Sequence, residues 1–165
     1  INVVYNNNVA FRGCTSLTTI NLCDNLKNGI YENNDIHWSA ENGLLCRVTN
    51  DGASKELFLA FGNTFNDALV TSIHEYAFIA SGLKEITLST LRALSANAIT
   101  YSDIENVQLP TSESGVWKLT ETSFNLNYNI NNPANLKDEI VIGVGGKKLS
   151  VIDWLKMGAR LVFES

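Results

Sequence analysis

The stretch "SIHEYAF" (Ser72 to Phe78) sets His74 beside Glu75, which is how an H-E-x-x-H zinc motif begins. That motif works because two histidines one helical turn apart aim both imidazoles at one metal. The second histidine would stand at residue 78, which is Phe, and His37 is far away in the sequence. Cys14, Cys23 and Cys46 offer no C-x-x-C unit, so the sequence predicts neither a metal site nor any other cofactor. Three cysteines cannot all pair within one chain, so at least one thiol is free or pairs externally. "IGVGGKK" (Ile142 to Lys148) suggests a phosphate loop, but Walker A requires Gly where Val141 stands and Ser or Thr where Lys148 stands. A hairpin turn is expected there instead.

Nucleophilic and acid-base chemistry fare no better. Cys14 lacks a matched histidine to activate it and is expected as a buried, inert thiol. Asp103 with Glu105, and Asp138 with Glu139, are carboxylate pairs of the type glycoside hydrolysis uses, yet sequence neighbours do not make a cleft. A solvated face is the expected role. Trp38, Trp117 and Trp154 each lie beside apolar residues, which points to packing rather than to stacking on sugar. No catalytic residue is assigned.

The elements that would position any site come from a repeat. "VTSIHEYAFIASGLKEITL" (Val70 to Leu88) aligns without a gap on "LRALSANAITYSDIENVQL" (Leu91 to Leu109), an offset of 21. Val70, Ile73, Ala77, Phe78, Leu83, Ile86 and Leu88 meet Leu91, Leu94, Ala98, Ile99, Ile104, Val107 and Leu109. A further copy, "AFRGCTSLTTINL" (Ala10 to Leu22), matches after one extra residue, and Leu22 lies 66 residues, three steps of 22, before Leu88. Each unit reads as a strand L-x-x-I-x-L with inward apolar positions, followed by a return path whose Ala-Phe pair fills the core from the other side. In this register His74 and Glu75 are turn residues.

These segments, with "ENGLLCRVTNDGASKELFLAF" (Glu41 to Phe61), resemble the BspA-like leucine-rich repeats of bacterial surface proteins. The shared features are the A-F-x-G-C-x-S-L core and the N-G-L-L insert, over roughly residues 3 to 110. Ile99 in place of Phe, a missing Gly-Cys in that copy, and Asn6 at an apolar position are departures. The resemblance implies an extracellular or cell-surface binding protein, in some members an adhesin.

The expected fold is α/β: a strand-dominated leucine-rich-repeat solenoid with short helical or irregular returns and a β-rich C-terminal cap. Residues 1–110 form the array, with a divergent middle at 23–69. That middle reads as strands "GLLCRVT" and "KELFLAF" joined by "NDGAS", either two diverged repeats or an insert. Past Pro110 the phase is lost, and residues 111–165 cap the array or begin an adjoining module. They contain strand-like "VWKLTETSFNLNYNI", a hairpin around Gly143 to Gly146, a short helix from Ser150 to Gly158 capped by Ser150 and Asp153, and a final strand "ARLVF".

Outward positions of the strands would align on one concave strip: Thr18, Thr19 and Asn21; Lys84, Glu85 and Thr87; Glu105, Asn106 and Gln108. Net charge is −5 with 12 Lys+Arg dispersed along the chain, which argues against nucleic acid. The longest apolar run, near "LFLAF", is far short of the roughly 20 residues of a membrane span. The reading is a non-enzymatic module contacting an extracellular protein or glycan. Its rivals are a carbohydrate- or peptide-acting hydrolase with its site in the C-terminal region, and a structural spacer of a larger surface protein.

Overall fold

The computed structural model describes residues 8–30, 34–66, 69–94, 98–99, 101–110, 141–144, 146–150 and 153. After a 3-10 turn (Asn8–Phe11) and a one-turn helix α1 (Asp24–Lys27) comes an antiparallel meander. Its strands are β1 (Ile36–Glu41), β2 (Leu44–Thr49) and β3 (Lys55–Gly62). The second and third are the strands expected from the sequence; the first is not. Asn42 and Gly43, both at positive φ, form the two-residue link between β1 and β2, as a hairpin with matched twist requires. The "NDGAS" link turns at Gly52 (φ +74), and the Asp51 carboxylate accepts the Ala53 N–H at 2.9 Å. That bond, with help from Thr49, holds the Asp51 pKa below its ordinary value.

Beyond the meander the chain forms two similar coils. The first contains β4 (Ser72–Ile73), β5 (Ala80–Ser81) and β6 (Glu85–Thr87); the second contains β7 (Ala93–Leu94) and β8 (Asn106–Leu109). β4 pairs in parallel with β7 in the register Ser72↔Ala93 and Ile73↔Leu94. β6 pairs in parallel with β8 in the register Glu85↔Asn106, Ile86↔Val107 and Thr87↔Gln108. Both ladders step by 21 residues, the offset found in the sequence. The apolar alignment is therefore a stacking register.

The ladders belong to different sheets. One runs β1-β2-β3-β4-β7, with β5 also paired to β3. The other runs β10-β9-β8-β6, where β9 (Val141–Val144) and β10 (Lys147–Ser150) form the hairpin expected around the glycines. β9 lies parallel to β8, with Val107 opposite Ile142. At the other side of the first coil, β3 pairs with both β4 and β5, so one eight-residue strand lies along the coil's return path.

The main core cluster joins Leu44, Cys46, Leu57 and Ile73 of the first sheet to Ile86, Val107, Leu109 and Ile142 of the second. Ala77, Phe78, Ala98 and Ile99 are buried among them, as are Leu83 and Ile104. Each fully buried Leu, Ile or Val adds about 1.5–3 kcal/mol, which neither coil could obtain alone. A second cluster (Leu45, Phe58, Leu59, Phe61, Ile79, Ala80) lies on the other face of the meander, and Phe11, Leu17, Ile20 and Leu22 pack on it half-buried. The N-terminal copy thus begins in the 3-10 turn, continues through turns closed by the Cys14 and Leu17 N–H groups, and forms no strand of either sheet. Among the described residues no helix is long and apolar enough to cross a membrane.

Candidate binding surface

The two ladder strands present alternate side chains outward. On β6 and the residue before it, Lys84, Glu85 and Thr87 are exposed, while Ile86 between them is buried. On the next coil Glu105 and Asn106 are exposed and Gln108 is half-buried around Val107. Hydrogen bonds from the Glu105 and Asn106 N–H groups to the Lys84 carbonyl lock the coils in this register. Lys84 Nζ lies 3.5 Å from Glu105 Oε1, with both side chains about two-thirds exposed, at 65% and 63%. Such a pair contributes under about 1 kcal/mol, so it orients charge more than it stabilises. The Gln108 side chain folds over Gly143 of β9, where a Cβ would collide with it, and its Nε2 donates to the Leu109 carbonyl at 3.4 Å.

Six of the nine expected strip residues are therefore brought onto one face. The other three are not. Thr18, Thr19 and Asn21 are exposed on the N-terminal copy, which packs on the second cluster and takes no part in the β6–β8 ladder. That copy does touch the coils, through the Gly13 N–H to the Ile79 carbonyl and Arg12 over the Tyr101 ring, but it adds no strand to either ladder.

The residues considered for chemistry resolve as packing or turns. His74 follows β4, donates its N–H to the Leu57 carbonyl and stacks its ring on Phe58 at 5.1 Å. Trp38 meets Phe58 edge-on at 5.4 Å. Asp103 is exposed, and Glu105 faces Lys84. Among the described residues no cluster of three or more His, Cys, Asp or Glu could hold a metal. Gly143 and Gly146 belong to the β9–β10 hairpin. Ser150 Oγ accepts the Asp153 N–H at 3.2 Å, the first bond of the expected cap. The rest of that helix, Trp117, Trp154, Asp138, Glu139, the strand "VWKLTETSFNLNYNI" and the final strand lie outside the described residues.

The thiols correct one expectation. Cys14 is exposed, as is Cys23, and the buried thiol is Cys46. Cys14 is outside because the N-terminal copy meets the second cluster through Phe11, Leu17, Ile20 and Leu22, while Gly13 donates its N–H to the Ile79 carbonyl and Arg12 lies over the Tyr101 ring, and none of these contacts turns residue 14 inward. Burial pushes the Cys46 pKa from 9.0 up to about 11, against a smaller lowering by Lys55.

Other features are not evident in the sequence. Ser81 and Ser102, 21 apart, are both buried, and each hydroxyl donates to the carbonyl three residues back: Phe78 at 3.2 Å and Ile99 at 2.5 Å. Their identity in the repeat alignment is the available signal. A groove of about 310 Å³ lies between the N-terminal copy and β1, lined by Asn21, Lys27, His37, Trp38, Ser39 and Glu41 with apolar neighbours. The alternation in "IHWSAE" is its trace.

A family model for BspA type leucine rich repeat regions matches residues 2–34 and 63–139, in six copies. The chain belongs to the BspA-type leucine-rich repeat family. The match covers two-thirds of the chain and continues past Pro110, where no phase is visible by eye. The unmatched segment between its two parts coincides with the β1–β3 meander. Comparisons with curated proteins and with solved structures returned no match.

Proposed function

We propose that this BspA-type repeat protein is a non-enzymatic binding module that contacts an extracellular or cell-surface protein or glycan. In this reading the coils continue as a solenoid, the β9–β10 hairpin helps to cover its end, and the outward face of β6 and β8 is the contact surface. The carrying observation is the shared step of 21 in both ladders, which sets Lys84, Glu85 and Thr87 beside Glu105, Asn106 and Gln108 over a rigid apolar core. A surface of this kind recognises by complementary charge and amide hydrogen bonds, since it offers no large aromatic anchor.

Family membership supports protein interaction in general, because a repeat array is a scaffold that varies its outward residues without disturbing its inward ones. Thr18, Thr19 and Asn21 would then serve a separate, minor contact or none. The test is a screen of the chain against immobilised extracellular proteins and a glycan array, followed by titration of any hit. Lys84→Ala, Glu85→Ala, Glu105→Ala and Asn106→Ala combined should abolish that binding while the circular dichroism spectrum is retained. Unchanged affinity in the folded variant would place the contact elsewhere.

A further inference from the structure

Among the described residues β1 is the outermost strand of its sheet, and its edge has a defined window. Glu41 and Leu44 close the two-residue hairpin as a mutually bonded pair, so Glu41, Ser39 and His37 turn their backbone groups toward β2. Asp35, with the same parity, accepts the Asn50 N–H at 2.9 Å, in keeping with that phase. The backbone groups of Ile36, Trp38 and Ala40 therefore face outward. Gly29 covers the Ile36 carbonyl so closely that no side chain fits at residue 29. Among the described residues nothing pairs with the N–H and C=O groups of Trp38 and Ala40. They border the groove that Ile20, Asn21, Leu22 and Lys27 also line.

We propose that the Trp38–Ala40 window pairs with the same window of a second copy of this chain, forming a dimer by antiparallel strand addition along this edge. Only the register centred on Ser39 pairs all the open groups of both copies. Trp38 of each copy exchanges N–H···O bonds with Ala40 of the other across the two-fold axis. That same register sets His37 of each copy opposite Glu41 of the other. A pairing of imidazolium with carboxylate thus follows from the register that the hydrogen bonding selects independently. His37 Nδ1 lies 2.5 Å from Asn50 Oδ1, and the Asn50 amide nitrogen donates to the Asn34 carbonyl. Nδ1 therefore donates to Asn50, and Nε2 can donate to the opposing carboxylate only in the imidazolium form, in which both ring nitrogens carry protons. β1 also lacks the lysine, proline or bulge with which edge strands usually refuse a partner.

The test is the mass of the intact chain by sedimentation equilibrium across a concentration series. A monomer–dimer equilibrium is expected, and a chain that stays monomeric throughout, whether or not it captures an extended peptide from another protein, overturns the proposal. Ala40→Pro removes one outward N–H at an edge position where proline is tolerated, and should weaken dimerisation by roughly tenfold or more. Because that variant could disturb the strand, a charge exchange supplies a second readout. Glu41→Lys alone sets the His37 imidazolium of each copy against an ammonium group, and His37→Glu alone sets two carboxylates face to face. Each should dimerise less than the parent, and an equimolar mixture of the two should recover a heterodimer. A dimer indifferent to all three substitutions would use another face and would refute this one. The β6–β8 surface is untouched by these changes, so the result is independent of the binding assay above.

Discussion

At the residue scale, burial separates cysteines that the sequence could not rank. Cys46 has no exposed surface, and its pKa stands at about 11, whereas Cys14 and Cys23 are exposed. At mildly alkaline pH a thiol reagent should therefore consume Cys14 and Cys23 quickly and reach Cys46 only upon unfolding; mass spectrometry after timed alkylation reads this directly. The same burial fixes a pH dependence. Between 9.0 and about 11 the unfolded chain has lost the Cys46 proton and the native chain keeps it. Stability is then intact below pH 9 and falls as pH rises toward 11, by about 2–3 kcal/mol from this group. Urea unfolding of the parent beside Cys46→Ala isolates the effect, since the variant lacks this part of the slope. Ser102 is a polar counterpart: its hydroxyl serves the Ile99 carbonyl inside the core, so Ser102→Ala should cost about 1–2 kcal/mol, with Ser81→Ala similar. The two serines coincide in the repeat alignment, but a polar match reads equally well as two exposed turns, and only burial tells the cases apart.

At the element scale, what the sequence revealed and what it hid divide by the source of the pairing. The L-x-x-I-x-L strands were legible because a parallel stack repeats one layer, so Ile86 and Val107 must recur in phase. β1 was not, because "IHWSAE" is polar enough to pass for a turn and becomes a strand by pairing with β2. The exposure of Cys14 was hidden too, since it depends on where the N-terminal copy docks. The hairpin that creates β1 turns through two positive-φ residues, of which Gly43 is also sterically confined. Gly43 sits at φ +77 with its α-carbon against the Phe61 carbonyl, leaving no room for a methyl group. Gly43→Ala combines that collision with a left-handed conformation that costs about 1–2 kcal/mol on its own. A loss exceeding that figure is expected in urea unfolding, whereas Gly52→Ala, with open space around it, should lose only the conformational part.

At the scale of the whole molecule, the proposed solenoid raises the question of where its stack ends. The Ile86–Val107 row continues into Ile142, fully buried on β9, although the linear step from Val107 is 35 residues instead of 21. No constant-period reading could have found that rung, since its place is set by the pairing of β8 with β9. A stack of coils exposes its last apolar layer unless something covers it. The side chains that need cover here are Val107 and Leu109, with Ile104 beneath them. If β9 supplies it, Ile142→Ala should destabilise the entire cooperative unit by about 2–4 kcal/mol, because one cluster links Ile142 to Cys46 and Leu57 of the meander. A chain ending at Pro110 should go further: a lower melting temperature, a broadened transition, and scattering from association through the bared β8 edge. Val141→Ala, at a half-buried position in the same strand, is the control and should fall well short of Ile142→Ala. Equal, small effects of both substitutions, with a sharp unchanged melt for the shortened chain, would mean that β8 closes its own core and that β9 merely rests on it.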